Sequence, residues 1–227
     1  MSPATNLCPA RCCSTPCPSG TSEVCRRSAV ATKTLPTTDE LTQFSIDDEL
    51  RNIQPPGDNL AGFDEFGFLA EVYRFCEATT VLDLGCGWGR LASAFPADRY
   101  FGVDINPAAV SRASALDPDR RFEHVAFEDP LPERDLCFAS SVLLHVDDHN
   151  VLDLADRMTR SFRKLLIVEI MVRRIREQIG HQVPAYCRDR RDYEQLFKSF
   201  EVRFEIRKSY EWYKDQGLEL SYVLFTR

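Results

Sequence analysis

Two carboxylates bracket a run of glycines in this chain: Asp83 precedes Gly85, Gly87 and Gly89, and Asp104 follows nineteen residues after Gly85. Glycine adopts positive φ without a Cβ clash, so alternate glycines let a backbone turn sharply and approach a ligand closely. The apolar run Val81-Leu82-Asp83-Leu84 reads as a strand feeding this turn, and Tyr100-Phe101-Gly102-Val103-Asp104 reads as a second strand that ends in an acid. That is the layout of a mononucleotide-binding βαβ unit, in which a carboxylate ~20 residues beyond the first glycine grips ribose hydroxyls.

Charge and spacing select the ligand. A dinucleotide fingerprint is GxGxxG with a pyrophosphate on the helix N-terminus, whereas this chain has GxGxG with Asp83 just before it. A carboxylate there opposes a phosphate and suits a ligand with a cationic ammonium and no phosphate. The stretch Asp83-Leu84-Gly85-Cys86-Gly87-Trp88-Gly89 resembles motif I of the class I S-adenosylmethionine (SAM)-dependent methyltransferases, and Phe101-Gly102-Val103-Asp104 resembles their second motif. The resemblance implies a cofactor, S-adenosyl-L-methionine, held by Gly85, Gly87 and Gly89 under its methionine and ribose parts. It further implies that Asp83 helps to hold the methionine amino group and that Asp104 takes the two ribose hydroxyls. Glu128-Asp129-Pro130-Leu131-Pro132 is similar to the family's acid-then-Leu-Pro run, which assigns the adenine amino contact to Glu128 or Asp129, with Asp129 preferred.

The stretch Asp135 to Val146 resembles the family's fourth motif, a strand followed by a small polar residue and a Leu-x-His turn. Ligands of open α/β sheets lie beyond the carboxyl ends of the strands, so Ser140, Ser141 and His145 are expected to face the methyl group and its acceptor. Imidazole titrates near neutral pH, which makes His145 the candidate general base; the alternative is that it packs under the cofactor and orients the loop. Nucleic-acid amino-methyltransferases carry an Asn/Asp-Pro-Pro-Tyr motif here, and this chain has Ser140-Ser141-Val142-Leu143 instead. A small-molecule acceptor is therefore expected. Arginines between Met171 and Asp192, among them Arg173, Arg188 and Arg190, could bind an anionic acceptor or form a solvated helix face.

These residues need a scaffold. Strands are expected over Thr80 to Leu84, Tyr100 to Asp104, Phe122 to Phe127, Leu136 to Ser140, Leu165 to Ile170, Glu201 to Arg207 and Leu218 to Thr226. Helices are expected over Thr38 to Ile53, Asp64 to Glu77, Gly89 to Phe95, Pro107 to Leu116, His149 to Phe162 and Asp189 to Phe200. The alternation predicts a doubly wound, mostly parallel seven-stranded α/β sheet with helices on both faces. The short connection between the last two strands leaves no room for a crossover helix and makes the last strand antiparallel.

The chain has 227 residues, 44% of them hydrophobic and 28% charged, with net charge −7. This balance can bury a core and disfavours a general nucleic-acid binder. Residues 39–227 are expected to form one domain. Residues 1–38 hold Cys8, Cys12, Cys13, Cys17 and Cys25 with many Pro, Ser and Thr and no helical or strand period. They read as a disordered tail, a transit peptide or the product of a misplaced start. With no CxxC pair and no histidine nearby, a zinc site there is disfavoured, and no metal is expected. Scattered cysteines in the body and the lack of a long apolar run predict a cytosolic protein outside the membrane. The competing readings are a catalytically silent SAM-binding partner subunit and a nucleotide-dependent oxidoreductase. Oligomeric state is not legible.

Overall fold

The computed structural model describes residues 63–172, 185–186, 188–209 and 219–227, all within one compact unit, Leu35–Arg227. The expected helix at Thr38 to Ile53 and the cysteine cluster lie outside the described residues.

Seven strands form one sheet: β1 (Val81–Leu84), β2 (Tyr100–Asp104), β3 (Arg121–His124), β4 (Leu136–Ser140), β5 (Lys164–Ile170), β6 (Glu201–Ser209) and β7 (Glu219–Thr226). Their order is β3-β2-β1-β4-β5-β7-β6. Strands β1 to β5 pair in parallel, and β7 runs antiparallel between β5 and β6. The expected architecture is therefore present. Strand β3 is shorter than expected, ending at His124, and β6 is longer.

Among the described residues four α-helices accompany the sheet: α1 (Glu65–Phe75), α2 (Pro107–Leu116), α3 (Asn150–Ser161) and α4 (Arg190–Leu196). Their starts are written in the sequence. Asp64 accepts from the Gly67 N–H at 2.9 Å, Asn106 accepts from Ala108 and Ala109 ahead of Pro107, and Asp189 and Asp192 close a capping box. Gly89 to Phe95, expected to be helical, instead holds a turn and one short 3₁₀ helix, Ala92–Ala94, and a second, Ala97–Arg99, follows it. Pro96 cannot donate a helical hydrogen bond, and β2 begins at Tyr100, so the segment has no length for an α-helix.

The central strands are buried on both faces, which is why they read as unbroken apolar runs. On one face Val81, Phe138, Leu166 and Val168 pack with Leu69 and Val72 of α1. On the other, Leu82, Val103, Cys137 and Ile167 pack with Leu154 and Met158 of α3 and with Tyr193 of α4. Burying one such side chain contributes ~1.5 to 3 kcal/mol, and truncating fully buried Phe138 to alanine would cost about 3 to 5 kcal/mol. Parallel strands that all end on the same edge bring Asp83, Asp104 and Ser140 together there.

Candidate functional site

Gly85, Gly87 and Gly89 all sit at positive φ, +71°, +54° and +81°. The amides of Gly85 and Cys86 donate to the Val103 carbonyl at 2.8 and 3.0 Å, pinning the start of the turn to β2. A Cβ at Gly85 would lie 2.4 Å from Val142 Cγ2, so this glycine is needed for packing between the glycine turn and the segment after β4. A Cβ at Gly87 would meet nothing within 4 Å. The middle of the turn thus faces open space, with a left-handed backbone that an L side chain resists.

Asp104 closes the turn from β2. Its Oδ2 accepts from the Gly87 N–H at 2.8 Å and its Oδ1 from the Asn106 N–H at 2.8 Å. Burial raises the carboxyl above its ordinary range, and these backbone donors together with nearby His124 oppose the rise. Asp83 is more deeply placed, 3% exposed, and its Oδ2 accepts from the Tyr100 hydroxyl at 2.6 Å. Burial pushes it up to about 7, against that hydrogen bond and the attraction of Arg90. Asp83 is therefore within the structural layer beneath the turn, where its proton is poised near neutrality.

A cavity of about 340 Å³ lies beside the ends of β2 and β3, lined by Ile105, Pro107, His124 and residues 125–128. Glu128 is among the lining residues. Asp129 is not; its Oδ2 accepts from its own turn at the Ala126 N–H, 2.6 Å away. The guanidinium of Arg157 stacks over the Phe127 ring at 5.0 Å and donates to the Asp129 carbonyl at 3.0 Å, fixing this turn.

On the far side of the glycine turn, Ser140 ends β4, Ser141 adopts φ +57°, and Leu143–His145 form a 3₁₀ turn in which His145 is half-buried. Two residues hold this segment: Glu169, which sequence reasoning missed, and Arg188, which it read as an acceptor ligand or part of a solvated face and which is in fact buried. Glu169 Oε1 accepts from the Val142 and Leu143 amides at 2.9 and 2.8 Å. Arg188 donates to the Leu143 and Val146 carbonyls at 2.7 and 2.8 Å and to Asp148 at 2.6 Å. Arg188 is therefore committed to backbone, and Arg190 to Glu194 and Glu205. Neither supports the anionic-acceptor reading; residues 173–184 of that cluster lie outside the described residues. The signal for Glu169 was a lone acid inside an apolar strand, Leu165 to Ile170.

A second missed group backs the glycine turn. Glu65, fully buried at the start of α1, accepts both Arg90 guanidinium nitrogens at 2.8 and 3.3 Å and the Tyr222 hydroxyl at 2.7 Å. It links the residue after Gly89 to α1 and β7. Among the described residues no cluster of His, Cys, Asp or Glu could hold a metal, and no helix is long and apolar enough to cross a membrane.

Residues 82–166 match the family model described as a methyltransferase domain. Over 75 residues the chain is 36% identical to the trans-aconitate 2-methyltransferase of Escherichia coli O1:K1 / APEC, covering 30% of this chain and 30% of that protein. The chain thus spans about a third of the length of the curated relatives it matches. The fold is similar to magnesium protoporphyrin IX methyltransferase from Synechocystis PCC 6803 with bound SAM, at TM-score 0.60 and 17% identity, covering 83% of this chain and 94% of that one. It is also similar to a SAM-dependent methyltransferase from Clostridium acetobutylicum ATCC 824, at TM-score 0.59 and 11% identity over 73% of this chain and 93% of that one.

Proposed function

We propose that this chain, a class I SAM-dependent methyltransferase in its fold and in its matched domain, transfers a methyl group to an oxygen or nitrogen of a small acceptor. The observation that carries this reading is the left-handed glycine turn whose open face is closed by Asp104 at the ends of β1 and β2. The turn fits the cofactor, because a Cβ at Gly87 would project into the space where the ligand's backbone contacts must form.

SAM held here would supply a methyl carbon on a sulfonium, whose sulfur would leave with the carbon–sulfur electron pair when an acceptor atom bonds to that carbon. The protein's part is positioning, which is worth several powers of ten when reacting atoms are held ~3 to 3.5 Å apart and in line. Asp104, with two backbone donors already on its carboxylate, keeps lone pairs for the ribose hydroxyls. In this reading the adenine is held from the cavity side by Phe127, backed by Arg157, and by Glu128, a choice supported by Phe127 and Glu128 lining that cavity. This reading prefers Glu128 to Asp129 for the adenine contact. Asp83 acts on the ammonium end from beneath, and Ser140 faces the cofactor from β4. His145 takes the proton from a hydroxyl or amine acceptor as it attacks. A carboxylate acceptor needs no such base, since its oxygen is already deprotonated, and the relative named for trans-aconitate makes small carboxylic acids the first acceptors to try.

Calorimetric titration of the full chain with S-adenosylhomocysteine (SAH), with NADH as control, tests the cofactor. Micromolar binding of SAH alone is expected, and binding of NADH instead would overturn the assignment. Labelled SAM is then offered with trans-aconitate and a panel of small acids, alcohols and amines. Methyl transfer to one of them is expected, whereas SAH binding without transfer to any would favour a silent cofactor-binding subunit.

A further inference from the structure

Strand β5 carries Leu165, Leu166, Ile167 and Val168, all at 0% exposure, and then Glu169, also at 0%. Fold stability gives no reason for an acid there. A buried carboxyl costs free energy that a well-packed apolar side chain would not, so its retention points to a specific use. The geometry shows the use: Oε1 sits beneath the segment after β4 and accepts two successive amides, Val142 and Leu143. Oε2 has no hydrogen-bond partner among the described residues.

The segment it supports does not hold its shape by itself. Ser141 is in the left-handed region, where a residue with a side chain is strained and persists only if its surroundings fix it. The fixing comes from both ends of the turn. The Ser141 amide donates to the Val168 carbonyl at 2.8 Å, and Glu169, the next residue of β5, takes the two amides that follow. From the opposite side Arg188, 6% exposed, takes the carbonyls of Leu143 and Val146, and the Tyr186 amide donates to the Leu144 carbonyl at 2.6 Å. A carboxyl thus gathers the amides of the turn and a guanidinium gathers its carbonyls. His145 lies between them.

We propose that Glu169 and Arg188 are positioning residues for methyl transfer, which fix the turn carrying His145 against the methyl group while leaving the cofactor to the glycine turn. This rests on the methyltransferase reading above. Burial pushes the Glu169 carboxyl up to about 8. At neutral pH the acid is mostly protonated, and Oε1 acts as a neutral acceptor that a glutamine amide oxygen can replace.

The test compares Glu169→Met, which keeps the length and loses the acceptor, with Glu169→Gln, which keeps it, in the full chain. Three quantities are read: SAH affinity, hydrogen exchange of the Val142 and Leu143 amides, and methyl transfer from labelled SAM to the acceptor that the wild type uses. For Glu169→Met the exchange of these two amides should rise at least tenfold beyond any change in the β2 amides. SAH affinity should stay within threefold, and kcat should fall about a hundredfold with the KM for SAM unchanged. Glu169→Gln should restore the amide protection and kcat, with SAH affinity again within threefold. Exchange that rises equally throughout the chain, or a Gln variant no better than Met, would make Glu169 a fold residue and overturn the proposal. If Glu169→Met does not fold, Arg188→Lys decides it: the charge is kept and the two-carbonyl fork lost, so kcat should fall at least tenfold with SAH affinity kept, and an unchanged kcat refutes the proposal. If the wild type binds no SAH, the methyltransferase reading fails by itself, and transfer cannot be the purpose of the clamp.

Discussion

The hydroxyl of Tyr100 on β2 donates to Asp83 Oδ2 on β1 at 2.6 Å, so the two strands that frame the glycine turn are joined by a buried side-chain hydrogen bond as well as by the sheet ladder. The Tyr100 ring packs near Phe95 and Phe122, at 6.1 and 5.5 Å between centroids, so Tyr100→Phe would keep the packing and remove only the donor. A buried acceptor left unpaired costs ~1 to 3 kcal/mol. Urea denaturation of Tyr100→Phe at pH 7 should show a loss of that size with an unchanged m-value. A loss under half a kilocalorie per mole would mean that Asp83 finds another partner.

The same carboxyl makes stability depend on pH. Asp83 is raised from 3.8 to about 7 and Glu169 from 4.5 to about 8, both by burial. Between these limits the folded chain keeps protons that the unfolded chain has released, so unfolding releases protons and stability falls as pH rises. The contribution is complete below about pH 4 and lost once the pH has passed about 8. The limiting slope is ~1.4 kcal/mol per pH unit for each group. Asp83→Asn should flatten the fall between about pH 4 and 7, and Glu169→Gln the fall between about pH 4.5 and 8. Denaturation series across this range check both, and parallel curves for wild type and variants would refute the assignment.

Two glycines of the turn should respond differently to alanine. At Gly85 the new Cβ would collide with Val142, in addition to the backbone strain at φ +71°, so Gly85→Ala should lower the melting temperature by several degrees. At Gly87 the Cβ meets nothing, and only the left-handed backbone penalty of ~1 kcal/mol applies. Gly87→Ala should therefore fold nearly normally and lose at least tenfold in SAH affinity, because the added methyl faces the ligand side. Thermal melts and calorimetry on the two variants separate packing from binding.

The sheet was legible because β1, β2, β4 and β5 are buried and so announce themselves as short apolar runs, whereas the exposed edge strand β3 was misplaced at both ends. The glycine turn was legible because alternate glycines mark a left-handed backbone, and the place of Asp104 beside it because an acid ends the second apolar strand. What escaped was set by distance in sequence. Glu65 and Tyr222 lie 157 residues apart, and nothing local marks Glu65 as the partner of Arg90. In sequence, a glutamate in the first turn of a helix reads as a solvated residue that complements the helix dipole. The segment after Gly89 was misread because Leu91, Ala92, Ala94 and Phe95 are indeed buried, but around a single 3₁₀ turn, Ala92–Ala94, and burial pattern alone does not separate the two helices over so short a span.

Binding and turnover should separate between Asp104 and His145. Asp104→Ala removes the acceptor for the Gly87 and Asn106 amides and the group assigned to the ribose, so SAH affinity should fall by about 2 kcal/mol or more, roughly thirtyfold. His145 lies on the turn beyond β4 and is not among the residues that line the cavity. His145→Ala should leave SAH affinity within threefold and cut transfer to a hydroxyl or amine acceptor by ~10² or more, with the loss shrinking at high pH where hydroxide can take the proton. With a carboxylate acceptor the same variant should keep most of its rate, because no proton has to leave. Rate measurements on both acceptor classes, beside calorimetry, decide the role: a loss of rate with the carboxylate as large as with the hydroxyl would make His145 an orienting residue and not a base.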